Sequence, residues 1–176
     1  TPAALGIFKV AKQFSQVLPR FIDPLYQSIY PELSRLWAAD RKTTFVSLMK
    51  RTTLIVGGMA TIGWLSFILL GHRLIAWTVG SAYSQAYPVA VVYLLALVVA
   101  LCSFSLQPAM LAVGLPRNSF KTHIVATVLY LAILVPIVRC IGIIGVSLAQ
   151  VAYYALWSVL MLYYLRPFLS PTARRG

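Results

Sequence analysis

VAVVYLLALVVALCSF (89–104) is apolar almost from end to end and holds no charged residue. The strands of a membrane barrel alternate apolar and polar side chains with a period of two, and this stretch does not. Only helices and closed barrels cross a bilayer, because the backbone must satisfy its own hydrogen bonds there. The stretch therefore reads as part of a transmembrane helix, and the fold class as all-α, a polytopic transmembrane helical bundle.

The remainder of the 176 residues agrees: 60% are hydrophobic and 10% charged, with a mean hydropathy of +0.84. A soluble domain carries about 25% charged residues. A span needs about 20 predominantly apolar residues. Apolar runs broken by charge, Gly and Pro give five candidates, about 3–29, 44–70, 86–113, 118–138 and 142–165, in a single membrane domain over 1–176. The chain opens on Thr rather than Met and shows no signal-peptide pattern. The expectation is a fragment whose natural start is missing.

The net charge is +12, yet the basic residues flank apolar spans instead of gathering on one soluble face, so nucleic acid is not an expected partner. Arg35, Arg41, Lys42, Lys50, Arg51, Arg117, Lys121, Arg166, Arg174 and Arg175 fall on one side, and Arg73 and Arg139 on the other. By the positive-inside rule the first loop, the third loop and the C-terminus are cytoplasmic. Tyr83, Tyr87, Trp77, Tyr163 and Tyr164 stand near span ends, where interface aromatics or packing aromatics belong. Pro31 is expected to end the first span, leaving 28–45 as a short cytoplasmic amphipathic helix or a solvated connector. The segment 72–88 reads as a short interfacial helix broken at Gly80 and Ser81, or as a loop.

Little in the chain suggests catalysis. Its acids are Asp23, Glu32 and Asp40, with no paired carboxylates, phosphate-cradling Gly loop, metal-ligand cluster or Ser/His/Asp set. His72 and His123 stand alone and read as structural, and Cys102 and Cys140 as packing residues. No enzyme, cofactor or metal is expected. Gly145 and Ala149 form a small-xxx-small pair suited to close helix packing, and Gln107 and Gln150 read as interhelical hydrogen-bonding groups.

KVAKQFSQVLPRFIDPLYQ (9–27) is the exception among the apolar segments. At 100° per residue, with Lys9 at zero, Lys12, Gln13, Gln16, Arg20, Asp23 and Gln27 fall near 300°, 40°, 340°, 20°, 320° and 0°, inside an arc of about 100°. The stripe is about 27 Å long, close to the roughly 30 Å of bilayer hydrocarbon. Each charge at the bilayer centre costs about 2.5–3.5 kcal/mol, so these groups should face protein or water. Arg20 and Asp23 are placed to pair, whereas Lys9 and Lys12 have no acid within helical reach and want an anion from elsewhere. Pro19 and Pro24 kink such a helix, which membranes tolerate beside a cavity. A water-filled cationic cavity wall is the favoured reading. An interfacial amphipathic helix and interhelical polar glue stand beside it.

The runs LYQSIYPELSRLWAADRKTT (25–44), GSAYSQAYPVAVVYLLA (80–96), PAMLAVGLPRNSF (108–120) and GIIGVSLAQVAYYAL (142–156) together resemble the C-terminal part of bacterial polysaccharide flippases. These belong to the superfamily that also holds lipid II flippases and multidrug and toxic compound extrusion transporters. The resemblance implies about the last five helices of a transporter with twelve to fourteen, whose two bundles open a central cavity alternately to each side of the bacterial cytoplasmic (inner) membrane. It implies a polyprenyl-pyrophosphate-linked oligosaccharide as substrate, for O-antigen, capsule or exopolysaccharide assembly. The implied partners are membrane lipid, the missing N-terminal helical bundle, and the glycosyltransferases and polymerase of the same pathway.

On that reading Lys9, Lys12 and Arg20 would meet the pyrophosphate or headgroup, and Gln13, Gln16 and Gln27 the sugar hydroxyls. Asp23 would hold Arg20 or serve as a proton or cation coupling site. The alternatives are a cation-coupled multidrug exporter of the same superfamily and a non-transport subunit of a polysaccharide assembly complex. A drug exporter would more often carry acids in its cavity, whereas this stripe is basic.

Overall fold

A computed structural model describes residues 24–78 and 86–169. The described chain is all helix and turn: α1 (24–38), α2 (Lys42–Thr78), α3 (Ala86–Cys102), α4 (Leu106–Ala112), α5 (Pro116–Ile141) and α6 (Ile144–Leu169). Among the described residues, four spans are long and apolar enough to cross a membrane: Lys42–Gly71, Tyr87–Ala112, Pro116–Ile141 and Ile144–Leu169. The protein is an α-helical membrane bundle.

The helices pack in the order α2, α3, α6, α5, so consecutive elements are not always neighbours. In α3 and α6, 33% of the apolar window is buried, against 11% in α2 and 6% in α5, which places α2 and α5 on the flanks. Their outward faces carry Leu54, Met59, Ile62, Leu69, Phe120 and Val128, all more than half exposed. Such faces are ordinary where lipid is the solvent.

Side chains bonded to helix carbonyls tie the row together. Trp64 Nε1 donates to Val91 O at 3.0 Å, Tyr87 Oη to Ile68 O at 2.7 Å and Ser147 Oγ to Val89 O at 3.3 Å. Each carbonyl already serves its own helix and uses its second lone pair here. Tyr87, read from sequence as an interface or a packing aromatic, also stacks on Phe67 at 6.1 Å and so joins α2 to α3.

The dense core lies at one end of the bundle. Ile29, Leu33 and Leu36 of α1 meet Phe45 and Met49 of α2, Met110 of α4, and Met161 and Leu165 of α6. Pro31 does not terminate a helix, because α1 runs through it to residue 38, while the expected first span, about 3–29, lies largely outside the described residues. Ile29, Leu33 and Leu36 recur at the spacing of one helical face and are buried, while Pro31 is on the exposed side. That burial offsets the roughly 3 kcal/mol cost of an interior proline.

The helix stops instead at Asp40, whose φ is 55°. Arg41 N–H donates to Leu36 O at 2.9 Å and Asp40 N–H to Trp37 O at 3.0 Å, a Schellman closure in which Asp tolerates the left-handed position. The same closure recurs at Gly114, where Leu115 N–H reaches Met110 O at 2.9 Å.

Two further boundaries differ from the sequence reading. The second span is not followed by a separate interfacial helix, since α2 continues to Thr78; the expected break at Gly80 and Ser81 lies outside the described residues. The third span is broken, with residues 103–105 between α3 and α4. Cys102 and Cys140 are exposed rather than packed away, although a Cβ built on Gly57 would lie 2.8 Å from Cys102 Sγ.

Gly145 behaves as its spacing predicts. It is buried, Ala149 is buried one turn on, and a Cβ at Gly145 would sit 2.8 Å from Ile137 O of α5. A backbone oxygen has little room to retreat, so Gly145→Ala should destabilise the bundle by about 1–3 kcal/mol through overpacking. Thermal unfolding in detergent reads this as a lowered Tm, and an unchanged Tm would remove the close contact from the picture.

Candidate functional site: a polar seam and the end of a polar stripe

The break at 103–105 follows from Pro108, which supplies no N–H for Phe104 O. With Pro108 in the first turn of α4, the chain tightens into short-range bonds, Phe104 N–H to Leu101 O at 3.2 Å and Leu106 N–H to Ser103 O at 3.1 Å. The break turns Ser103 and Ser105 inward, and both are buried.

Hydroxyls then cross the bundle. Ser105 Oγ pairs with Thr53 Oγ1 of α2 at 2.6 Å, and Ser103 Oγ lies against Val99 O at 3.1 Å and against Ser158 Oγ of α6. Ser158 Oγ is also 2.6 Å from Tyr154 O. Between α5 and α6 the seam becomes aromatic. Trp157 Nε1 donates to His123 Nε2 at 3.2 Å, and His123 Nδ1 lies 3.4 Å from Tyr153 Oη. An accepting Nε2 assigns the ring proton to Nδ1, which points at the tyrosine oxygen. His123 is thus a neutral, hydrogen-bonded structural histidine.

This seam is polar but carries no charge. Its serines face other hydroxyls and carbonyls, and His123 faces an indole and a phenol, so no base stands beside a nucleophile there. No group of three or more metal-ligating side chains occurs among the described residues. Such a seam joins helices by interhelical hydrogen bonds between small side chains. Gln150, read as an interhelical group, stands one turn before Tyr154 on α6.

Sequence reasoning missed the seam because its members are single hydroxyls inside apolar runs. The usable signal was the pair of serines around Phe104, four residues before a proline.

Of the stripe residues, Lys9, Lys12, Gln13, Gln16, Arg20 and Asp23 lie outside the described residues, and Gln27 lies on α1. Gln27 is exposed, and on a helical projection it stands opposite Leu25, Ile29, Leu33 and Leu36, the side packed on the core. Nearby charges on α1 and α2 are engaged at the surface. Arg35 Nη2 meets Glu32 Oε1 at 2.8 Å, and Lys42 Nζ stands 5.8 Å from the Trp37 ring centroid. Arg41, Lys42, Lys50, Arg51, Arg117, Lys121 and Arg166 all belong to the end of the bundle that holds the dense core, and Arg73 and Arg139 to helix segments at the far end.

The chain matches no protein-family model and no solved structure. It is similar to the inner membrane protein YghQ of Escherichia coli (strain K12), with 34% identity over 87 residues, 49% of this chain and 24% of that protein. The match therefore spans about a quarter of the relative's length. Taken with the four apolar spans, it makes this chain a multi-pass α-helical protein of the inner membrane.

Proposed function

We propose that this chain is part of a flippase that carries a polyprenyl-pyrophosphate-linked oligosaccharide across the cytoplasmic membrane, with alternating access and no chemistry on the substrate. The observation that carries it is the stripe from Lys9 to Gln27. Read from the sequence as one helix, it would be polar, cationic and about as long as the hydrocarbon is thick, and its last member is exposed on the face of α1 away from the packed core. A pyrophosphate concentrates negative charge, and ammonium and guanidinium groups in a low-dielectric cavity hold it firmly. Glutamines on the same face offer donors and acceptors to sugar hydroxyls.

In this reading Lys9, Lys12 and Arg20 hold the anionic group, Gln13, Gln16 and Gln27 the sugars, and Asp23 restrains Arg20 or couples transport to an ion. A second helical bundle supplies the opposite cavity wall, and rocking of the two halves exchanges access. The core end, which holds most of the basic residues, faces the cytoplasm together with the C-terminus. The hydroxyl seam supplies the joint at which α3 and α4 bend. The similarity to an inner-membrane protein supports the location and leaves the cargo to experiment.

Deleting the gene for the full-length protein tests the function. The expected phenotype is loss of surface polysaccharide with lipid-linked precursor retained at the cytoplasmic face. Normal surface glycan in a strain without other exporters of this kind would refute the proposal.

A further inference from the structure

A second cationic feature lies outside the stripe, on the flank helix α2. An open concavity there is lined by Thr43, Ser47, Lys50, Arg51, Leu54 and Ile55. Lys50 and Arg51 are exposed, and neither forms an ion pair among the described residues. The next twenty residues, 52–71, contain no charge. At 1.5 Å per residue they cover about 30 Å, the thickness of the hydrocarbon, which sets Lys50 and Arg51 at the depth of lipid phosphates.

The apolar part of α2 continues the same face. Taking Ser47 as zero on the helical projection, Thr43, Lys50, Arg51, Leu54, Gly58, Ile62 and Leu65 all fall within an arc of about 120°. Leu54 is 74% exposed and Ile62 65%. Gly58 between them leaves an open notch, since a Cβ there would meet nothing within 4 Å.

We infer that this face of α2 is a binding site for an acidic glycerophospholipid. Lys50 and Arg51 neutralise the headgroup phosphate, with the Thr43 and Ser47 hydroxyls as further donors. The acyl chains lie along Leu54, Gly58 and Ile62. Charge complementarity selects the occupant: a zwitterionic lipid offers the same chains but opposes the two cations with its own. The site shares no residue with the stripe and does not depend on the flippase reading.

Native mass spectrometry of the full-length protein tests it, with phosphatidylglycerol and phosphatidylcholine of identical acyl chains in competition. Wild type should retain phosphatidylglycerol with a preference on the order of tenfold, given two basic side chains at the surface. The preference should largely disappear in K50Q/R51Q and persist in R117Q/K121Q, whose charges sit on α5. Added inorganic phosphate should leave the lipid bound. Equal retention of the two lipids, an unchanged preference in K50Q/R51Q, an equal loss in R117Q/K121Q, or displacement by inorganic phosphate would each overturn the inference. Lys50 and Arg51 are surface residues, so an unaltered Tm in K50Q/R51Q separates lost binding from lost folding.

Discussion

Alanine at Lys9, Lys12 or Arg20 in the full-length protein is expected to remove most surface polysaccharide while the protein still reaches the membrane. A hydrogen bond to a charged group is worth about 1.5–3 kcal/mol, so each lost contact with a pyrophosphate should lower transport by about 10- to 150-fold. Precursor should accumulate on the cytoplasmic side, because its synthesis continues while its exit fails. Lys9→Arg should retain much of the output, since the cation stays even though the point charge of an ammonium becomes a planar fork. Immunoblotting of membranes against glycan staining checks the result. Full glycan from all three alanine variants would reduce the stripe to packing or an interfacial face.

The second large effect concerns folding. Phe45→Ala removes a ring that is 1% exposed and sits 5.5 Å, centroid to centroid, from Trp37. The site is enclosed by α1, α4 and α6 and has little room to collapse, so the loss should be about 3–5 kcal/mol. Since Phe45 belongs to the cluster that holds Leu33 and Leu36 of α1, the first consequence should be release of α1. Limited proteolysis near the 39–41 turn, followed over time in detergent, should cut Phe45→Ala much faster than wild type. Equal rates would mean that α1 is held by something else.

Hydropathy alone made the membrane bundle legible, since runs such as 89–104 admit no other stable arrangement in lipid. The exact ends of the helices were less legible, for physical reasons that differ from case to case. Pro31 looked like a terminator because proline is costly inside a helix, but the residues at 29, 33 and 36 share one buried face and decide the matter together. The break at 103–105 hid inside an apolar window, because two serines barely change an average over twenty residues. Cys102 and Cys140 are exposed, and no local pattern of small apolar residues announces how much of a side chain its neighbours cover.

The stripe shows the reverse. Its period was readable at once, yet of its seven members only Gln27, exposed on α1, falls among the described residues. What stands across from it was not readable, because a periodicity within one segment carries no information about which other helices face it. Gly145 was readable by spacing, and its close approach to Ile137 gives that spacing a cause.

The most direct measurement is the transport of a fluorescent polyprenyl-pyrophosphate oligosaccharide in sealed proteoliposomes containing the full-length protein, compared with its K9Q/K12Q/R20Q variant. Faster movement to the far leaflet than in empty vesicles, falling by at least about tenfold in the variant, is the predicted result. Movement no faster than in empty vesicles, or equal rates for the two proteins, would contradict a cationic pathway for an anionic lipid-linked glycan.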